Sequence, residues 1–328
     1  DAALRAHQLP LFALESKDPL AAFDIIAFTI GYEMSYTNIL NMLQLAGIPL
    51  RSADRPGLDQ LIIAGGTCAY NPEPLADFID LFSLGEGEDL TRELLSLYQT
   101  AQADHWSKQQ YLAEAAKLEG VYIPAFYAHT YGPDGAVTAI PPAPGAPTTD
   151  RKRIVQDLDA AYSPVKTIVP STEIVHDRSN LEVMRGCIRG CRFCQAGFCY
   201  RPVRPRSAAT LLRQAKEMLL DSGNHEITLS SLSTSDYKQL EPLASDLLDF
   251  CTPRKINISL PSLRADNFSD SLMQKLQKVR KSGLTFAPEA GSQRLRDVIN
   301  KNVTEEVILT TCATAFAGGW NNVKLYFM

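Results

Sequence analysis

The segment Met184-Arg185-Gly186-Cys187-Ile188-Arg189-Gly190-Cys191-Arg192-Phe193-Cys194 decides how this chain is interpreted. Its three cysteines have the spacing C-x3-C-x2-C, and an aromatic residue stands directly before the last of them. Three thiolates on one short loop can ligate three irons of a four-iron cluster and leave the fourth iron open for a small ligand. Gly186 and Gly190 allow the loop to turn tightly, and their backbone amides can hydrogen-bond to the cluster sulfurs.

The sequence on both sides of this segment alternates between strand-like and helix-like stretches. Strands are predicted at 181–185, 226–232, 256–263, 284–288 and 323–328, and helices at 208–221, 237–250, 270–281, 293–299 and 304–317. Five strands joined by helices suit a βα barrel, in which the catalytic loops follow the strands. The cysteine motif follows the first of these strands, where an active site of that fold is expected.

The motif and its position resemble the radical SAM superfamily, whose signature is C-x3-C-x2-C after the first strand of a partial (β/α)6 barrel. The resemblance implies that Cys187, Cys191 and Cys194 bind a [4Fe-4S] cluster, and that the open iron binds S-adenosylmethionine (SAM). Reduction of the cluster then cleaves SAM to a 5′-deoxyadenosyl radical, and methyl or methylthio transfer is the reaction that the class favours. A reducing electron donor of the flavodoxin or ferredoxin type is implied as a partner.

The same resemblance implies SAM contacts in four loops. They are Phe193 in the motif, Ser231 and Ser233 after the second strand, Arg264 after the third and Glu289 after the fourth. Arg264 would pair with the SAM carboxylate, and Glu289 would bond to the ribose hydroxyls. The second loop lacks the family's commoner Gly-Gly-Glu, and an ordinary surface ion pair is the alternative for Arg264.

Other kinds of protein also carry clustered cysteines. A non-catalytic iron–sulfur module for electron transfer or sensing, and an RNA-binding protein with a structural zinc, are the alternatives. A zinc ribbon would need a second C-x2-C or a histidine pair, which this sequence lacks. Cys199 follows the motif closely, and we interpret it as a bystander thiol, with a role facing the substrate left open.

Residues 1–120 predict a Rossmann-like domain. Strands at 24–31, 60–64 and 80–84 alternate with helices near 35–46, 74–78 and 85–98, which is typical of a doubly wound parallel sheet. Such a domain ahead of the barrel resembles the cobalamin-binding class of radical SAM proteins. That resemblance implies cobalamin contacts at Gly65, Gly66, Gly85 and Glu86. Ordinary βα turns, which need glycine in any case, are the alternative.

Residues 121–175 predict a hairpin and a proline-rich connector. Gly132-Pro133-Asp134-Gly135 has the composition of a tight turn, and four prolines follow between 141 and 147. The predicted domains are therefore 1–120, 121–175 and 176–328. The chain lacks an initiator methionine and stops inside a predicted strand. We expect truncation at both ends, so that the first domain lacks its first strand and the barrel has five strands of six.

The amino-acid composition and the net charge indicate which partners and which cellular location to expect. Of the 328 residues 45% are hydrophobic and 21% charged, and the net charge is −5. This balance is typical of a globular protein and does not mark the whole chain as a nucleic-acid binder. With no apolar run of about 18 residues and no secretory signal, we predict no membrane partner and a cytoplasmic location.

Charge is distributed unevenly along the chain. The stretch 178–206 holds seven arginines and one acid. That excess leaves RNA or another anionic molecule open as the substrate. Compensation of an anionic cluster by the same arginines is the alternative.

Overall fold

The computed structural model describes residues 1–260 and 284–328, and the chain divides into two compact units, Asp1–Val155 and Gln156–Met328. In the described ranges the helices are α1 (Ala2–Ala6), α2 (Tyr36–Leu45), α3 (Gly87–Ala103), α4 (Lys108–Ala115), α5 (Ala196–Cys199), α6 (Ala208–Ser222), α7 (Leu240–Cys251), α8 (Gln293–Val298) and α9 (Glu305–Ala317). The strands are β1 (Ile25–Thr29), β2 (Leu61–Gly65), β3 (Leu81–Ser83), β4 (Val121–Tyr122), β5 (Thr130–Tyr131), β6 (Val137–Ala139), β7 (Ser179–Glu182), β8 (Met184–Arg185), β9 (Arg204–Pro205), β10 (Glu226–Ser230), β11 (Asn257–Ser259), β12 (Leu284–Glu289) and β13 (Val323–Phe327).

The first unit is built on a four-stranded sheet with the order β1-β2-β3-β4. The first three strands are parallel and β4 is antiparallel to β3. In β2, Ile62 and Ala64 belong to one hydrophobic cluster, whereas Leu61 and Ile63 belong to another. Alternate residues of a strand face opposite sides, so this sheet is covered by apolar residues on both faces. The α/β class predicted from the sequence is confirmed.

Local details of this unit differ from the prediction. The helix expected near 74–78 is a 3-10 turn over Glu73–Leu75, after which the chain re-enters the core through buried Ile79. In the region of the predicted hairpin, β4 ends at Tyr122 and a 3-10 turn follows over Pro124–Phe126, because proline cannot donate to a strand ladder. The tight turn before β6 is present, with Gly135 at a φ of +78°.

The prediction missed α4. Its start carries a recognisable signal, since Ser107 accepts from the backbone N–H of Gln110 and the Gln110 side chain accepts from the backbone N–H of Ser107. This reciprocal capping box marks a helix start, and the helix buries Tyr111 and Leu112 against α3 and the sheet.

A buried ionic group fixes the centre of the first unit. The carboxylate of Asp80, just before β3, accepts from Arg55 at 3.2 Å and from Lys108 at 2.7 Å. Its second oxygen accepts from the backbone N–H of Ile62 at 2.7 Å. All three charged side chains are almost completely buried. Their mutual pairing makes the burial of three charges possible, since an unpaired buried charge is strongly destabilising.

The second unit contains a parallel sheet with the order β11-β10-β7 and a parallel pair, β12-β13. Helices α6 and α7 pack on one face of the three-stranded sheet through Leu211, Leu243 and Leu247. Each described strand of the predicted barrel is present within a few residues of its predicted bounds. The described residues do not form a closed barrel. The predicted helix at 270–281, the end of the third strand and Arg264 lie outside the described residues.

None of the helices in the described ranges is both long and apolar enough to cross a membrane.

We predict that Asp80→Asn destabilises the first unit by about 3–5 kcal/mol, because it leaves Arg55 and Lys108 buried without a counter-charge. Urea unfolding followed by tryptophan fluorescence measures this. The chain has two tryptophans, one in each unit, so Trp320→Phe makes Trp106 the reporter of the first unit alone.

The matched control is Asp77→Asn. Asp77 also pairs with an arginine, Arg51 at 2.7 Å, but both side chains are more than half exposed. Its replacement should cost less than about 1 kcal/mol. Equal effects of the two substitutions would contradict the role assigned to the buried group.

Candidate functional site

The cysteine motif lies in a loop, residues 186–203, that is closed at its base by two short strands. β8 and β9 pair antiparallel, with Met184 opposite Pro205 and Arg185 opposite Arg204. Buried Val183 joins this base to the sheet, because its N–H donates to the carbonyl of Ser230 and its carbonyl accepts from Arg206. The loop therefore begins and ends at the carboxyl end of the first parallel strand, β7. We call residues 186–203 the cysteine loop.

Gly186 is required by the packing at the base of the loop. Its φ is +84°, and a Cβ at this position would lie 2.7 Å from the carbonyl oxygens of both Tyr200 and Pro202. A side chain would therefore meet backbone rather than a movable neighbour, and L-residues rarely adopt this conformation.

Glu182, the last residue of β7, connects both ends of the cysteine loop. Its carboxylate accepts from Arg185 at 2.8 and 3.1 Å and from Arg206 at 3.3 Å. Burial alone would raise the pKa of Glu182, but the two guanidinium groups hold this pKa below its usual range. Arg206 is buried and also donates to the carbonyl of Leu158, so this charge pair is fixed from two sides.

All three cysteines of the motif are free thiols on this loop. Cys191 is buried, and Cys187 and Cys194 are partly exposed. The backbone N–H of Arg189 points to the Cys187 sulfur at 3.4 Å. No three His, Cys, Asp or Glu side chains among residues 1–260 and 284–328 are grouped so that they could hold a metal ion. The thiols therefore share a loop without being drawn around one centre.

The cysteine loop is tied to the loop that follows β10. Arg189 binds both carboxylate oxygens of Asp236, with its Nε 2.9 Å from Oδ2. The same Asp236 accepts from the hydroxyl of Ser233 at 2.7 Å, and the Ser231 hydroxyl is 2.9 Å from that of Thr234. The structure thus brings Ser231 and Ser233, the predicted SAM contacts, into the loop that pairs with the motif. The sequence analysis did not identify Asp236.

The other side of the cysteine loop is held by the last residue of α8 and the residues that follow it. Asn300 donates to the carbonyl of Gly190 at 2.7 Å, and the Arg192 guanidinium donates to the carbonyl of Val298 at 2.6 Å. The N–H of Arg192 donates to the carbonyl of Ile299 at 3.0 Å. No local sequence signal could have identified these contacts, which join positions more than 100 residues apart.

Glu289 and Phe193, two further predicted SAM contacts, both lie against Lys301. Lys301 pairs with the Glu289 carboxylate at 3.0 Å, and its ammonium group is 5.8 Å from the centre of the Phe193 ring. The turn after Glu289 is fixed by buried Arg296, which donates to the carbonyls of Ala290 and Gly291. The two predicted contacts are therefore brought to one place by a lysine that the sequence analysis missed.

Two predicted cobalamin contacts in the first unit are glycines that the chain itself requires. A Cβ on Gly66 would lie 2.8 Å from the carbonyl oxygen of Ile30, and one on Gly85 would lie 2.2 Å from that of Arg153. Glu86 accepts from the N–H of Val155 at 2.6 Å. Gly65 is different, because a Cβ there would meet Ser83 only at an ordinary distance of 3.5 Å.

A chain with two α/β units and a C-x3-C-x2-C loop at the end of a parallel strand has the organisation of a radical SAM protein. Residues 1–124 match the family described as radical SAM proteins, N-terminal, and residues 181–328 match the radical SAM superfamily. These matches cover most of the sequence, and the chain belongs to the radical SAM superfamily.

A similar protein is an uncharacterized protein of Methanocaldococcus jannaschii, 31% identical over 322 residues. The alignment covers 97% of this chain and 61% of that protein, so the chain spans about three fifths of its relative.

Two solved structures have a similar fold. The cobalamin-dependent SAM radical enzyme OxsB, with aqua-cobalamin and SAM bound, has a TM-score of 0.63 at 16% identity, covering 93% of this chain and 41% of that chain. The radical SAM methyltransferase TsrM from Kitasatospora setae, with cobalamin and a [4Fe-4S] cluster bound, has a TM-score of 0.59 at 11% identity, covering 93% of this chain and 58% of that chain. At such identities the likeness establishes the fold alone.

Membership of the superfamily implies a [4Fe-4S] cluster and SAM. The chemistry of the three donors on the cysteine loop fits the cluster, although the described positions of the thiols do not surround one centre. Soft thiolates are the ligands that iron–sulfur clusters use, and three free thiols lie within eight residues. The N–H directed at the Cys187 sulfur is of the kind that adjusts a cluster's potential. Cys187, Cys191 and Cys194 would hold the cluster.

We predict that Gly186→Ala lowers the iron and sulfide bound per chain after anaerobic reconstitution, because the added Cβ opens the base of the cysteine loop. Gly197→Ala is the matched control. Gly197 lies in the same loop, but a Cβ there would be 3.6 Å from the nearest atom, the carbonyl oxygen of Arg189. Iron content unchanged in Gly186→Ala would refute the role assigned to the loop base.

Proposed function

We propose that this chain performs radical SAM chemistry, with Cys187, Cys191 and Cys194 binding a [4Fe-4S] cluster and SAM binding beside it. The observation that carries the proposal is the cysteine loop itself, which is closed onto the carboxyl end of β7 and presents three free thiols. In βα folds, chemistry is located on the loops that follow the strands.

When bound and reduced, the cluster supplies one electron that cleaves the sulfonium of SAM to methionine and a 5′-deoxyadenosyl radical. The protein positions and shields these groups. Glu182, Arg185 and Arg206 hold the base of the loop, and Arg189 and Asn300 hold its two sides. A loop fixed at its base and at both sides can keep its ligands in place, while part-exposed Cys187 and Cys194 stay accessible.

SAM contacts are proposed on three sides of the loop. Phe193 is 43% exposed and could contact the adenine, and the hydroxyls of Ser231 and Ser233 lie in the neighbouring loop. Glu289 is paired with Lys301, so its carboxylate would accept from ribose hydroxyls while remaining neutralised. Arg264 remains a prediction for the SAM carboxylate.

The reaction that follows radical formation is proposed as methyl or methylthio transfer, supported by the fold shared with a radical SAM methyltransferase. A reducing donor of the flavodoxin or ferredoxin type would supply the electron, and a cytoplasmic location remains a prediction. The alternatives predict different outcomes. A non-catalytic iron–sulfur module would hold the cluster without cleaving SAM, and a structural site would bind zinc rather than iron.

We predict that Cys187→Ala, Cys191→Ala and Cys194→Ala each remove most of the bound iron and reduce 5′-deoxyadenosine formation at least 100-fold. Each variant deletes one of three thiolate ligands. The measurements are metal analysis of the anaerobically reconstituted protein, and chromatography of the products after addition of SAM and dithionite.

Cys199→Ala is the matched control, since it removes a thiol five residues beyond Cys194 from the same loop. It should retain iron and SAM cleavage. A wild-type protein that holds iron but makes no 5′-deoxyadenosine would support the electron-transfer alternative, and one that is purified with zinc would support the structural alternative.

A second function, cobalamin binding, is proposed for the first unit. Tyr32 and Met34 lie in the segment that follows β1, which ends at Thr29, and they are 65% and 72% exposed. They lie where the chain leaves the carboxyl end of the parallel sheet, the edge at which such folds bind ligands. Gly65 ends the neighbouring strand, β2. The packing of the chain does not require a glycine at this position, because a Cβ would meet Ser83 at an ordinary distance of 3.5 Å. An exposed aromatic and an exposed methionine that follow the strand paired with this glycine suit a large, partly apolar ligand such as cobalamin.

We predict that the wild-type chain keeps corrinoid absorbance after incubation with hydroxocobalamin and desalting. The double variant Tyr32→Ala, Met34→Ala should lose most of it. Leu95→Ala, an exposed apolar residue on α3, is the control and should behave as wild type. No retained corrinoid in the wild type, or full retention in the double variant, would contradict this assignment.

A further inference from the structure

Two exposed arginines on or beside the cysteine loop have no carboxylate partner among residues 1–260 and 284–328. Arg192 belongs to the cysteine loop, and Arg294 belongs to α8. The Arg192 guanidinium donates at 2.6 Å to the carbonyl of Val298, a neutral group that does not balance its charge. Both arginines therefore present positive charge to the surroundings of the protein.

The exposed side of α8 adds apolar surface next to these charges. Leu295 is 42% and Val298 is 48% exposed. Residues three or four positions apart in a helix lie on one face, so Arg294 and Leu295 share a face with Val298. The contact between Arg192 and Val298 joins this face to the cysteine loop. We call Arg192, Arg294, Leu295 and Val298 the basic flank.

The charge of the basic flank is opposite to that of the chain as a whole, whose net charge is −5. The one acid within α8, Asp297, accepts from the Gln293 amide at 2.7 Å. Arginines beside exposed aliphatic side chains suit a protein surface with an acidic rim and an apolar centre. Charge complementarity thus favours an acidic partner.

The position of the basic flank indicates what this partner supplies. Arg192 lies between Cys191 and Cys194, two of the proposed cluster ligands. A protein bound to the flank therefore lies against the loop that would hold the cluster. Transfer of an electron between two proteins requires their redox centres to come close, and complexes of this kind bury little surface. A small surface on the cysteine loop is suited to such an encounter.

Two other occupants of the basic flank have to be distinguished from an electron donor. RNA is attracted by arginine, but single-stranded RNA is usually held by aromatic side chains that stack on its bases. The uncharged members of the flank are aliphatic, which favours a protein over RNA. A second copy of this acidic chain is the other possibility, and its binding would change the mass of the protein in solution.

We propose that the basic flank is the docking surface for the electron donor, and that this donor is an acidic protein with a low-potential flavin or iron–sulfur centre. The inference rests on the proposed radical SAM function, because it takes the cluster as the electron acceptor. One electron leaves the donor's centre, which is oxidised, and enters the cluster, which is reduced. No bond forms or breaks in this step.

The test compares two reductants on the anaerobically reconstituted protein with SAM. Dithionite is a small molecule that needs no docking surface, and reduced flavodoxin is the acidic protein probe. Arg294→Glu should lower the flavodoxin-supported rate of 5′-deoxyadenosine formation about tenfold, because it reverses a charge that attracts the donor. The dithionite-supported rate should stay unchanged. Arg213→Glu, the same change at an exposed arginine of α6, is the matched control and should alter neither rate.

A second variant tests the apolar part of the basic flank without changing its charge. The double substitution Leu295→Ser, Val298→Ser should also lower only the flavodoxin-supported rate. Leu220→Ser is its control, since Leu220 is an exposed apolar residue of α6. Flavodoxin-supported rates that stay at the wild-type value in both flank variants would overturn the inference.

Binding provides a readout that does not depend on SAM cleavage. The anisotropy of a fluorescently labelled flavodoxin, titrated with the reconstituted protein, gives the Kd of the complex. In the wild type this Kd should rise with salt concentration, because salt screens the attraction between the surfaces. Arg294→Glu should raise it about tenfold at low salt. A wild type that does not bind flavodoxin, or binds it without salt dependence, would also overturn the inference.

The remaining outcomes identify the other occupants or refute the proposed function. A labelled RNA whose binding is lost in Arg294→Glu, while flavodoxin binding is retained, would make the flank an RNA surface. A wild-type dimer that Arg294→Glu dissociates, measured by light scattering, would make it an interface between copies. Either result would overturn the inference. A wild type that makes no 5′-deoxyadenosine with dithionite would instead refute the proposed function, which the dithionite rate reports separately.

Discussion

The contact between Glu182 and its two arginines is the interaction on which the site depends. Glu182 ends the first parallel strand, Arg185 lies in the strand that enters the cysteine loop, and Arg206 directly follows the strand that leaves it. One carboxylate therefore fixes the separation of the two ends of an 18-residue excursion, residues 186–203. Since this group stands at the end of β7, it also joins the loop to the β11-β10-β7 sheet.

Ion pairs within the second unit account for several of the arginines in the arginine-rich stretch around the motif. Arg178, Arg185, Arg189 and Arg206 are each paired with a carboxylate from another part of the second unit or from the strand beside them. These arginines stabilise the loop and its neighbours, which argues against interpreting the whole excess as a surface for RNA. Partly buried pairs with two-point geometry are more rigid than exposed ones, so they suit the positioning of ligands.

Local signals in the sequence predicted most of the fold and only part of the site. Strands such as 60–64 were identified because a continuous apolar run is typical of a strand buried on both faces. The three cysteines were predicted as cluster ligands from their spacing and from their position after a predicted strand. The sequence alone could not have predicted the roles of Asp236, Asn300 and Lys301, because these roles arise from contacts with residues that are distant in sequence. Gly66 and Gly85 show the opposite case. Each lies so close to neighbouring backbone that only glycine fits, so their presence is explained without a ligand.

The two parallel sheets differ in a way that the sequence already contains. The central strand of the first unit, Leu61-Ile62-Ile63-Ala64, is apolar at every position, and both of its faces are covered. The corresponding strand of the second unit, Glu226-Ile227-Thr228-Leu229-Ser230, alternates strictly between polar and apolar residues. Such alternation is typical of an antiparallel sheet with one face in water, yet β10 is parallel to both of its neighbours. A parallel strand that keeps one face polar gives up apolar packing on that side, so the apolar contacts of β10 come from the side on which α6 and α7 pack.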